Sequence, residues 1–152
     1  MKRTRQLRVV GVALTGRDGS PVVVFEEPLS GDFLPLNTDP YEAEMVIRGF
    51  VGDDEGTAVS WLADLLTHRP PKRAVIELDE NGRPFLRLSA KRYLAFGEGL
   101  ALSRRLGFPI MAGDDLFESA RGELTFLSDS GAFLKDFLYL TPPQYAPNMP
   151  LE

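Results

Sequence analysis

The 152-residue chain is 43% apolar and 26% charged and has no cysteine. This is an ordinary globular composition that excludes disulfides, thiolate nucleophiles and cysteine-ligated metal. A single histidine argues against mononuclear zinc, which takes several imidazoles or thiolates, and leaves open an oxygen-ligand site for magnesium or manganese. Net charge is −5, and with Lys2, Arg3, Arg5 and Arg8 in the first eight residues the remainder carries −9, a poor general surface for nucleic acid.

No apolar run approaches the ~20 residues of a membrane span, and no signal peptide is visible. A cytoplasmic protein without membrane contact is expected. Thirteen of the 17 basic residues are arginine, and Asn and Gln are scarce. A thermophile and a GC-rich genome both produce that bias.

Residues 1–8 read as a basic arm, a solubilising terminus or a contact for phosphates. Val9–Leu14 and Val22–Phe25 are β-branched runs joined by Gly16-Arg17-Asp18-Gly19, which reads as a hairpin. Both are apolar at successive positions, so central strands covered on two sides are expected. Gly31-Asp32 turns the chain into a short strand, Phe33–Leu36. Asp39-Pro40-Tyr41-Glu42 is a helix start, with a capping aspartate, proline at the first helical position and glutamate at the third. Ala43, Val46, Ile47 and Phe50 form its buried stripe, and Gly49 is a fitting stop.

An acidic loop, Gly52–Gly56, precedes a second helix capped by Thr57. Ala58, Trp61, Leu62, Leu65 and Leu66 recur at helical spacing and are expected to face the core. Pro70-Pro71 ends the helix. A strand, Arg73–Asp79, and Asn81-Gly82 then announce a second hairpin. A three-residue loop, Glu80–Gly82, pairs Leu78 with Pro84, Ile76 with Leu86 and Ala74 with Leu88. That register gathers one apolar face, on which the second helix should pack, and leaves Glu77, Phe85 and Arg87 on the other.

The strand is expected to continue over Arg87–Tyr93. Gly99–Leu106 reads as a helix closed by Gly107, and Pro109-Ile110-Met111 as a short buried strand. Asp114 can cap a further turn, Leu116–Ala120. Leu124–Leu127 reads as a strand, while Ala132–Leu140 fits helix or strand. From Pro142 an extended, proline-rich tail follows, with Tyr145 and Met149 as anchors. The chain is thus expected to hold a single α+β domain over residues 9–140, a mixed or mainly antiparallel sheet with packed helices, and a tail over 141–152.

Four polar groupings bear on chemistry. Asp39, Glu42 and Glu44 are carboxylates on one helix, and a capping box accounts for the first two. Asp114-Asp115 after Gly113 suits a hard cation or ordinary helix capping. Asp64 and His68 stand one helical turn apart, within reach of a hydrogen bond, but no Gly-x-Ser-x-Gly turn accompanies them. Gly97-Glu98-Gly99 before a helix resembles an anion cradle, although it lacks a phosphate-loop lysine and carries a carboxylate.

Over about Val9–Glu118 the layout resembles the bifunctional nuclease domain family of bacteria and plants. The resemblance is carried by Leu34-Pro35-Leu36, Glu42-Ala43, the leucine-rich Leu62–Leu66 and the strand pair Val75–Leu78 and Phe85–Leu88. Leu100-Ala101-Leu102 leading to Gly107-Phe108-Pro109-Ile110, and Asp114-Asp115-Leu116, complete it. Where that family has Thr-His-Asp-Leu, this chain has Ala58-Val59-Ser60-Trp61. Where it has Arg-Pro-Ser-Asp-Ala, this chain has Ala95-Phe96-Gly97-Glu98-Gly99. The resemblance implies Glu42 and Glu98 as catalytic candidates and Asp115 as a further ligand for a magnesium or manganese ion that activates water. Together with the apolar tail, whose Tyr145 and Met149 can anchor on the body or on a second subunit, it also implies a homodimer. Two functions follow as expectations. One is a non-catalytic binding or assembly module, favoured by the absence of a complete catalytic set and by a basic arm on an acidic body. The other is a divalent-metal-dependent nuclease or phosphodiesterase.

Overall fold

The computed structural model describes residues 3–13, 20–119 and 137–141. Eight strands form one mixed, mostly antiparallel sheet: β1 (Thr4–Ala13), β2 (Val22–Glu26), β3 (Phe33–Asn37), β4 (Ala74–Leu78), β5 (Pro84–Ser89), β6 (Arg92–Ala95), β7 (Ile110–Gly113) and β8 (Phe137–Tyr139). Their order is β3-β2-β1-β7-β4-β5-β6, with β8 also on β1. Among the described strands, only β4 and β7 run parallel. Four helices accompany the sheet: α1 (Pro40–Val51), α2 (Ala58–Leu66), α3 (Phe96–Leu106) and α4 (Asp114–Ser119). The fold is α+β, as composition and periodicity require.

The β-branched runs make the expected antiparallel hairpin. Val12, Val23 and Phe25 point to the main core, while Ala13, Val22 and Val24 form a second cluster covered by Phe33 and Phe137. Two-sided burial explains why these strands are apolar at successive positions. Gly11 is required where β8 crosses, because a Cβ there would lie 2.2 Å from the Leu138 carbonyl oxygen. Of 132–140, residues 137–140 are described, and Phe137–Tyr139 of these is strand. The expected Gly16–Gly19 loop, the Leu124–Leu127 strand and the tail from Pro142 lie outside the described residues.

Residues 4–8 are not an arm. They are the first half of β1, laddered to β7 from Thr4↔Gly113 to Leu7↔Ile110, with Leu7 buried. Arg5 lies within ion-pair distance of Asp114 (2.6 Å), Asp32 (3.0 Å) and Glu27 (3.5 Å), and its guanidinium covers the Phe117 ring. Arg8 pairs with buried Glu26 at 3.0 Å. Arg5 thus ties β1 to α4 and to the β2–β3 turn, and Arg8 ties β1 to β2.

The β4–β5 register is the expected one, Ile76↔Leu86 and Leu78↔Pro84, and Gly82 takes the left-handed conformation at φ 77°. Asp79 Oδ1 accepts the Asn81 and Arg83 N–H groups and fixes the turn. Glu77 and Arg87 pair at 2.9 Å on the outer face. The chain does not extend β5 through Tyr93. It turns at Ala90-Lys91 and returns as β6.

One stop, one start and one face also differ from expectation. Helix α1 runs through Gly49 and ends at Gly52, φ 79°. Gly49 instead permits the approach of α3, since its Cβ would lie 2.4 Å from that of Ala101. Helix α3 starts at Phe96, so Gly97-Glu98-Gly99 is its first turn and not a preceding loop. Helix α2 is rotated relative to the expected stripe. Val59 and Ala63 are buried, with Leu62 and Leu66 packed at the core margin. It packs chiefly on α3 and not on the β4–β5 face.

Candidate functional site

The sequence candidates separate into two places. Glu42 and Glu98 meet where the first turns of α1 and α3 come together. Asp39 caps α1 by accepting the Glu42 N–H at 2.8 Å, as the capping signature requires. The reciprocal bond of a capping box is not made, however. Glu42 Oε1 accepts the Gly97 N–H of α3 at 2.7 Å. Helix α3 has no side-chain cap of its own, its N-cap residue being Ala95. Glu42 supplies the missing acceptor and a negative charge at the positive end of α3.

Burial raises the Glu42 pKa from its ordinary value, against the lowering effect of the Gly97 N–H, and the charges of Asp39 and Glu98 raise it further. Glu98 accepts from the Tyr41 hydroxyl at 3.5 Å. Its charge is the largest cause of the raised Tyr41 pKa.

Asp115 lies in the first turn of α4, beside a depression of about 740 Å³ lined also by Thr4, Glu77, Leu78 and Ser119. Its neighbour Asp114 is bonded to Arg5 at 2.6 Å. Among the described residues, no group of three His, Asp or Glu side chains is placed to hold a metal ion. Of the Glu42 carboxylate, Oε1 is already engaged by the Gly97 N–H. Glu44 is exposed on α1. Asp64 and His68 are exposed, and His68 lies beyond the end of α2, which is capped at Thr67.

The feature that sequence reasoning missed is the outer face of α2. Trp61 is 76% exposed and Leu65 70% exposed, one turn apart, with Ala58 exposed one turn earlier. They border a hollow of about 420 Å³ with Gly56, Thr57 and Leu62. Leu62 also borders a larger cavity of about 690 Å³ between α2 and β5–β6, floored by Leu66, Leu88 and Leu94 and rimmed by Arg69, Lys91 and Arg92. Apolar surface thus continues across α2. The exposed indole and leucine, one turn apart, form an apolar patch on the outer face of α2. The signal was present in the sequence, as α2 is apolar around more than one face.

No protein-family model matches the chain, and a search of curated proteins finds no similar sequence. Among the described residues, no helix is long and apolar enough to cross a membrane.

Proposed function

We propose that this chain is a non-catalytic binding and assembly module that works by docking another polypeptide on the outer face of α2. The observation that carries the reading is the exposed Trp61–Leu65 pair. Aromatic anchors flanked by smaller apolar groups and a polar rim are the make-up of protein contact sites. The apolar groove continuous with the pair has three cations at its edge, a rim of that kind.

The alternative, a metal-dependent nuclease or phosphodiesterase, has the adjacency of Glu42 and Glu98 in its favour. Against it, Glu42 serves as the cap of α3. The binding-module reading accounts for the exposed indole, and the nuclease reading does not.

A photo-crosslinking residue placed at Leu65 of the full chain in living cells tests the proposal, with the same residue at exposed Glu44 as control. Polypeptide adducts at position 65 and not at 44 are expected. Equal or absent capture at the two positions overturns the reading.

A further inference from the structure

We infer that the polypeptide docked on α2 is acidic and amphipathic, its apolar side chains filling the groove between α2 and β5–β6 and its carboxylates meeting Arg69, Lys91 and Arg92. The inference rests on the α2 docking reading and gives the partner its chemistry.

Charge in this chain is segregated. Residues 65–76 and 81–97 hold seven of the 17 basic residues and none of the 22 acidic ones, although the net charge is −5. The first segment leaves α2 and enters β4, and the second carries β5 and β6. The fold brings the two together around one groove of about 690 Å³. Its rim takes Arg69 from the first segment and Lys91 and Arg92 from the second, and among the described residues no carboxylate lines it. All three cations are exposed and make no ion pair among the described residues. The nearby Arg87 differs, since it pairs with Glu77 at 2.9 Å. Three like charges at the mouth of one groove repel one another. An anionic partner relieves that cost, and a cationic one adds to it.

The floor selects the class of anion. Leu62, Leu66, Leu88 and Leu94 offer aliphatic surface. Single-stranded nucleic acid instead stacks its bases on aromatic faces. Tyr93, the aromatic residue of the lining, already stands in edge-to-face contact with Phe85 at 5.8 Å. A leucine floor suits the apolar side chains that a peptide helix presents at i, i+3, i+4 and i+7. The groove also meets the hollow beside Trp61 and Leu65 at Leu62, which borders both. One elongated occupant laid across α2 therefore covers both, which a small anionic molecule does not.

Fluorescence anisotropy with the purified full chain tests the inference. The probe is a labelled synthetic peptide of about 18 residues, long enough for a helix, with leucine at i, i+3, i+4 and i+7 spacing and glutamate elsewhere. Its controls carry lysine for glutamate, or serine for leucine. The leucine–glutamate peptide is expected to bind in the micromolar range, and each control at least about tenfold more weakly. Arg69→Glu and Arg92→Glu should each weaken the leucine–glutamate peptide about fivefold and strengthen the leucine–lysine one. Both side chains are exposed, so the melting temperatures should match wild type. No binding of the leucine–glutamate peptide at about 100 μM, equal affinity for the glutamate and lysine peptides, or indifference to both reversals overturns the inference. So does tighter binding of labelled oligothymidylate that Arg92→Glu abolishes, which would assign the rim to phosphates. A chain that fails these tests and yet crosslinks polypeptide at position 65 loses the acidic partner and keeps the docking module. Failure of the peptide tests and of the crosslink together overturns both.

Discussion

Glu42 Oε1 accepts the backbone N–H of Gly97 at 2.7 Å, joining two helices across 55 residues of chain. Gly97 is buried, and without Glu42 its N–H would have neither a carboxylate nor free access to water. Glu42→Ala should cost about 1–2 kcal/mol, the usual loss for removing a helix cap. Glu42→Gln keeps one carbonyl acceptor and should cost less. Urea denaturation of the two variants measures both. Equal losses would show that charge, and not the acceptor oxygen, sustains the contact.

The same residue gives a pH signature. Burial raises the folded-state pKa of Glu42 above its ordinary value of 4.5. Between that value and the raised one, the folded protein holds a proton that the unfolded chain has lost. The Glu42 contribution to stability is therefore fully present below the ordinary value and declines as pH rises through the folded one. Other carboxylates act in the opposite sense, so the readable quantity is the stability of wild type minus that of Glu42→Gln. It should fall with increasing pH across this window. A difference that rises with pH would mean that hydrogen bonding outweighs burial at this carboxylate.

Gly97 should be the least replaceable glycine among the described helices. A Cβ there would lie 2.2 Å from the Glu42 carbonyl oxygen and 2.8 Å from its Cα. Backbone atoms cannot rotate away as a side chain can, so α1 and α3 would have to separate. Gly97→Ala should cost about 3 kcal/mol or more, at the upper end for overpacking. Gly52→Ala meets nothing within 4 Å but holds φ at 79°, and should cost only about 1 kcal/mol from backbone strain. Thermal melts of the two variants give the comparison. An equal effect would show that the helices slide apart at little cost.

These contacts explain what the sequence could and could not disclose. The β4–β5 register was readable because alternation in both strands and Asn81-Gly82 agree on one pairing. The start of α1 was readable because Asp39 and Pro40 act locally. The destination of the Glu42 carboxylate was not, since its partner is a backbone N–H that carries no residue-specific signal. Gly49 and Gly52 look alike as helix stops, and only the approach of Ala101 tells them apart. For α2, Ala58-Trp61-Leu65 and Val59-Leu62-Ala63-Leu66 both satisfy helical spacing. The small Val59 and Ala63 lie against the core, because they let α2 approach α3 closely. Trp61 is thereby turned outward. The β5–β6 turn, Ala90-Lys91, has neither glycine nor proline to announce it.

Millimolar manganese or magnesium should leave the melting temperature within about 1 °C of the metal-free value, because a ligand stabilises only in proportion to its occupancy of the folded state. The reason lies in the placement of Glu42, whose Oε1 already accepts the Gly97 N–H. Thermal melts of wild type and Glu98→Ala provide the measurement. A metal-dependent rise that Glu98→Ala abolishes would establish a carboxylate cation site and restore the nuclease reading.

Deleting residues 1–8 should damage the fold and not merely remove a basic arm. The deletion takes away the Thr4–Leu7 ladder to β7, buried Leu7, and the Arg5 and Arg8 ends of the ion pairs with Asp114 and Glu26. Loss of the Leu7 side chain alone is worth about 2–5 kcal/mol by comparison with other buried leucines. Leaving the buried Glu26 carboxylate without its arginine adds to that. A milder variant, Arg3→Gln, removes charge from an exposed side chain, keeps the Arg3 carbonyl that accepts the Asp114 N–H, and should leave stability unchanged. Denaturant midpoints of the deletion and of Arg3→Gln separate the two roles. A deletion as stable as wild type would mean that β7 and β4 hold the sheet together without the first half of β1.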